Sequence, residues 1–179
     1  MTGIKSAGIV MGVLLLACSG VYAQQPHAPM HHDRNHAAAV DKRGDMAMGF
    51  DHTKTAHHFR LFPDGGAITV ETNDPKDAES REAIQRHLRK ISAMFAAGNF
   101  DLPMFIHATQ PPGMQTMKRL KKQITYPYEP MPDGAQVRIR TRNKQAVAAI
   151  HKFLRFQIQE HRTADPLTIQ PEGSEKKPS

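Results

Sequence analysis

The chain has 179 residues and a net charge of +7, with 11 histidines, 10 methionines and one cysteine. That length allows one ordinary domain. One cysteine excludes intrachain disulfides, CxxC redox chemistry and cysteine-based zinc sites, so stability has to come from packing.

Residues 1–23 read MTGIKSAGIVMGVLLLACSGVYA, with Lys5 ahead of an apolar run from Ile9 to Ala17 and Val21-Tyr22-Ala23 at the end. The run is too short to span a bilayer and fits an export signal cleaved before Gln24. Leu15-Leu16-Ala17-Cys18 also fits a bacterial lipobox, in which case Cys18 carries lipid and anchors the chain. Both readings place the protein in the periplasm or cell envelope and leave the mature chain without a usable thiol. Residues 24–50 hold no period and are rich in His, Met and Ala, which reads as a disordered arm. Residues 167–179 read as a disordered tail. A single domain is expected over 51–166.

Within that domain two segments resemble each other. FPDGGAITVETNDPKDAESREAIQRHL and MPDGAQVRIRTRNKQAVAAIHKFL share a Pro-Asp-Gly turn, at Pro63-Asp64-Gly65 and Pro132-Asp133-Gly134. Each reads strand, turn, strand, helix. The expected strands are Thr55 to Phe62, Ala67 to Thr72, Ile124 to Pro130 and Gln136 to Thr141. The third holds two prolines, which suits an edge or a broken strand. A first helix is capped by Asp74 and ends at Gly98, and its apolar stripe is Ile84, Leu88, Ile91 and Phe95. A short helix runs from Met114 to Lys122, and a longer one from Lys144 to His161. The fold expected is α+β: two β-β-α units forming a four-stranded, mainly antiparallel sheet, with helices packed on one face.

The histidines lack any established ligand spacing, with neither HExxH nor CxxCH present. His57 and His58 are neighbours on a strand, so their side chains leave opposite faces. A three-residue loop in the first hairpin sets His57 across from Glu71, and a four-residue loop sets His58 there. His52 precedes the strand. Met104 and His107 lie in the connector LPMFIHATQPPGMQTM, where thioether and imidazole together suit copper. These five residues, His52, His57, His58, His107 and Met104, are the candidate metal ligands. His87, His151 and His161 read as core or helix-cap residues.

Arg138, Arg140 and Arg142 alternate along the last strand and form a basic stripe, suited to an acidic protein or an anionic membrane surface. Export argues against nucleic acid. His58 with Glu71 is the best acid–base pair available for a small hydrolase, and no nucleophile elbow accompanies it.

The segments HTKTAHHFRLFPDGGAITVETNDPKD, IQRHLRKISAMFAAGNFDLPMFIH, PPG and IHKFLRFQIQEH resemble a family of small exported bacterial proteins of uncharacterised function, over about residues 49–166. That resemblance implies export and brings no activity with it. The functional expectation is an exported, non-catalytic domain that binds a metal ion or metal cofactor, copper or haem. The alternatives are an interaction module using the basic sheet face and a small periplasmic hydrolase.

Overall fold

The computed structural model describes residues 34–171. The segment read as an export signal, with Cys18, and the start of the expected arm (24–33) and the end of the expected tail (172–179) lie outside the described residues. The first element is one that composition hides. Helix α1, Arg34–Met48, occupies most of the stretch expected to be a disordered arm. It buries Ala37, Val40, Gly44 and Met48, a narrow seam at helical spacing in an otherwise polar segment. Gly49 ends it at φ 78°, and its N–H donates to the Asp45 carbonyl.

Strands β1 (Thr55–Phe62) and β2 (Gly65–Thr72) form the first hairpin. The loop between them is only Pro63-Asp64, because Gly65 is already paired with Phe62 and takes φ 146°. Neither expected loop length is the one adopted. The shorter loop shifts the register, so Ala56 faces Glu71, while His57 faces Val70 and His58 faces Thr69. The His58–Glu71 acid–base pair is therefore not formed.

Helix α2, Ala78–Ala96, starts later than expected. Asp77 is its cap, accepting from the Ser80 N–H at 3.0 Å, while Asp74 accepts from the Lys76 N–H in the turn before it. The connector holding Met104 and His107 contains a short helix, α3 (Asp101–His107), and α4 (Met114–Arg119) follows. The third expected strand is split into β3 (Ile124–Thr125) and β4 (Tyr128–Met131). Pro127 lacks an N–H and interrupts the ladder there, although its carbonyl still accepts from the Arg138 N–H. β5 (Gly134–Thr141) leads into α5 (Lys144–His161), where Asn143 accepts from the N–H groups of Gln145 and Ala146.

The result is an α+β fold with a five-stranded antiparallel sheet, rather than the four strands expected. The order is β1-β2-β5, and β3 and β4 both pair with the far side of β5. The central β2–β5 ladder is symmetric. Gly65 pairs with Arg140 at one end, Glu71 with Gly134 at the other, and Ile68 with Val137 in the middle. The two Pro-Asp-Gly hairpins meet about that middle pair. Their helices then cross over: α2 lies chiefly on β5, with β2 and β4, and α5 lies on β1 and β2. Neither β-β-α unit covers its own hairpin fully.

The helix-facing side of the sheet carries Phe59, Leu61, Ile68, Val70, Val137 and Ile139, which join Ile84, Phe95, Ile150, Phe153 and Leu154 in one core. Among the described residues no helix is long and apolar enough to cross a membrane. The other side holds a buried Thr69–Gln136 hydrogen bond of 2.9 Å and the side chain of Arg138.

That arginine corrects the expected basic stripe. Arg138 is only 2% exposed. Its guanidinium donates to the carbonyls of Gly66 (2.8 Å) and Ile139 (2.9 Å), pairs with Asp64 and lies over the Phe62 ring. It ties the two hairpins together internally, while Arg140 and Arg142 are exposed and Arg140 lies 3.9 Å from the same Asp64 carboxylate. Arg138→Ala is expected to cost about 2–4 kcal/mol in chemical denaturation, because it strands buried carbonyls. Arg140→Ala is expected to stay within about 0.5 kcal/mol of the parent.

Candidate metal site

The histidines gather where α1, α3 and the end of α5 meet the edge strand β1. His57 leaves β1 on the helix-facing side, beside Phe59, opposite Val70. His161 ends α5 and stacks on His57, with ring centres 5.6 Å apart and planes 5° from parallel. His107 ends α3 and meets His161 edge to face at 5.1 Å. The three imidazoles thus form a row: His57, His161, His107. His87 of α2 stands nearby, edge-on to Phe50 at 5.6 Å.

This row borders two cavities. An inner one of about 50 Å³ is lined by His57, His87, His107, His161 and Gln157 among largely apolar side chains. An outer one of about 260 Å³ lies against α1 and the β1 edge, and His52 and His58 line it together with His57 and His161. Met48, His57 and His161 belong to both linings and form the wall between them. Strand alternation still sends His57 and His58 to opposite faces. The outer cavity touches both because it wraps around the edge of β1.

The inner imidazoles are uncharged at neutral pH. Burial pushes His57 and His87 down to about 4, aided in each case by neighbouring positive groups. Burial also holds His161 well below its ordinary value and lowers His107, against the upward pull of Gln157 and Glu160. His107 is 1% exposed. Its Nε2 lies 3.0 Å from Gln157 Oε1, and Glu160 is 3.4 Å from its Nδ1. Both ring nitrogens of His107 thus have a polar neighbour, and the Gln157 Nε2 beside it is the buried polar atom left without a hydrogen-bond partner.

The outer histidines are wetter and tied to carboxylates. His52 Nδ1 contacts Asp45 at 2.9 and 3.0 Å. His58 Nδ1 contacts Asp165 at 3.0 Å, and that hydrogen bond raises its pKa. Asp165, not Glu71, is thus the acid partner of His58. It also accepts from the Phe59 N–H and the Thr163 hydroxyl.

Asp45, Asp51 and His52 form a cluster that could hold a metal ion, with one ligand atom from each within 4.8 Å of the others. It is half-exposed, and its donors already have work. Asp51 caps the following 3-10 turn through Thr53, and Asp45 holds His52. Of the five candidate ligands, His52, His57 and His58 converge on one cavity, and His107 joins them through His161. Met104 does not. It is 39% exposed and lines neither cavity. His161 and Met48 are the members that sequence spacing missed, the first read as a helix cap and the second as part of an arm. His151 is a core histidine as expected, donating from Nε2 to the Phe62 carbonyl at 2.8 Å.

Compared with protein-family models, with curated proteins and with solved structures, the chain has no match. The likeness to small exported bacterial proteins therefore stands on its sequence motifs alone.

Buried neutral histidines fix the sign of the pH dependence. Between about 4 and 6.5 the unfolded chain holds protons on His57 and His87 that the folded chain does not. Stability should therefore fall as pH drops through that window and level off above it. His58 works oppositely: its raised pKa stabilises below 6.5, and that contribution is lost as pH rises through the folded value. In the metal-free chain, thermal unfolding followed from about pH 4 to about pH 8 should show a flatter acid limb for His87→Phe than for the parent.

Proposed function

We propose that this chain is an exported, non-catalytic domain that binds a metal ion, copper in preference, through His57, His107 and His161. The observation that carries the reading is the row of three neutral imidazoles at 5.6 and 5.1 Å, set along a cavity that Met48 also lines. The His57 and His161 planes are nearly parallel, so their in-plane lone pairs do not meet at one point as they stand, and binding one ion at about 2.0–2.1 Å requires a ring to turn. Neutral imidazole is the ligating form, and burial keeps it available without a proton to displace.

The donor set favours copper. Imidazole serves several late first-row metals, and the thioether of Met48 on the same cavity wall adds softness that suits the cuprous ion. Haem suits the site less well, since cavities of about 50 and 260 Å³ fall below the roughly 300–1,000 Å³ common for organic ligands. Burial of Arg138 weakens the interaction-module reading. A hydrolase reading has His58 with Asp165 as a base and no nucleophile-elbow serine beside it.

The test is anaerobic titration of untagged protein with Cu(I) against a competing chromophoric chelator. One equivalent should bind. His57→Ala, His107→Ala and His161→Ala should each weaken binding by about tenfold or more. His151→Gln should leave it unchanged. Absence of stoichiometric copper, or binding indifferent to all three alanine variants, would sink the reading.

A further inference from the structure

We propose that His52 and His58 form an outer capture station for the metal ion, which then passes to the buried row behind it. This rests on the reading of His57, His107 and His161 as the holding ligands, and it concerns how the ion reaches them.

The first support is position. His52 and His58 line the outer cavity, and that cavity shares His57, His161 and Met48 with the inner one. An ion in the outer cavity is already against the wall of the buried site. The second is the gradient of exposure. The His52 and His58 side chains are 38% and 34% exposed, whereas that of His107 is 1% exposed. An ion cannot meet His107 directly from water and has to exchange ligands on the way in.

The third support is orientation. In both outer histidines Nδ1 is held by a carboxylate, Asp45 for His52 and Asp165 for His58. A neutral ring held in this way donates from Nδ1 and keeps the Nε2 lone pair free for a metal, as carboxylate–histidine pairs do around bound metals. His52 Nε2 lies 3.9 Å from an Asp41 oxygen that also faces the outer cavity. Asp41 is itself held by Arg162, which lines the same cavity, so the two charges offset each other at the mouth and the landing site is defined by the histidines. Each handover replaces one metal–nitrogen bond with another and leaves the oxidation state unchanged.

A station on the path changes rates and not the end point. The clean substitutions are His52→Asn and His58→Asn, because the asparagine amide can still donate to Asp45 or Asp165 while the Nε2 ligand is gone. Cu(I) delivered as a weak chelate is mixed anaerobically with the metal-free full chain in stopped flow. The double variant should take up copper at least about tenfold more slowly and release it more slowly by the same factor, with one equivalent still bound at unchanged affinity. Uptake at the parental rate would overturn the station while leaving the holding site intact. So would loss of affinity or stoichiometry, which would make His52 and His58 final ligands. A parent chain that binds no stoichiometric copper would overturn the holding site itself, and the station with it. Circular dichroism confirms that each variant is folded, and the single variants carry the test should the double variant fail to fold.

Discussion

The pairing of β2 with β5 is the constraint on which the rest of the molecule depends. It joins two hairpins that would each be marginal alone, and it does so about the Ile68–Val137 pair. Because α2 and α5 cross to the opposite hairpin, the core closes only when both halves are present. Arg138 reinforces the same joint from the other side of the sheet, reaching carbonyls on β2 and β5 and the turn of the first hairpin. A charge so placed is costly to desolvate, and its hydrogen bonds and the nearby carboxylate offset that cost. The arrangement is one of mutual support, in which neither half is a finished domain.

The histidine row is a consequence of that crossing. α5 lies over β1, so its last residue, His161, arrives at the ring of His57 near the start of the chain's first strand. α3 brings His107 from the other direction, and α1 closes the space with Met48. Four segments far apart in sequence contribute one side chain each. All four imidazoles lining the inner cavity, His57, His87, His107 and His161, have lost basicity because they are walled by Phe50, Phe59, Phe95 and Ile106 rather than by water.

Much of the frame was legible from local signals. Alternation at Ile68 and Val70, the Pro-Asp-Gly turns and the Ile150–Leu154–Ile158 stripe fix hairpins and α5 because those patterns are short-range physics. Register was not, since it turns on whether Gly65 or Gly66 closes the loop, and one residue decides which side chains face each other. α1 escaped because its buried seam is alanine, valine, glycine and a single methionine, too weakly apolar to stand out from a His- and Ala-rich tract. The site shares that difficulty. His57 and His107 could be singled out by type, but His161 becomes a partner only through the packing of α5 on β1. His58 raised the same problem in miniature, its carboxylate coming from Asp165 beyond the last helix rather than from the facing strand.

The segment after α5 has a further consequence for the edge of the sheet. Asp165 takes the N–H of Phe59, the Gln170 N–H reaches the Leu61 carbonyl, and Ile169 bridges to Leu61 in parallel. These contacts occupy backbone groups that β1 would otherwise present to solvent as the outermost strand. An open β1 would be a template for a strand from a second molecule. Residues 165–170 therefore act as a built-in guard against edge-to-edge self-association. A chain cut before Asp165 would lose the orienting partner of His58 and, at the same time, uncover the Phe59 N–H and the Leu61 carbonyl on the edge of β1.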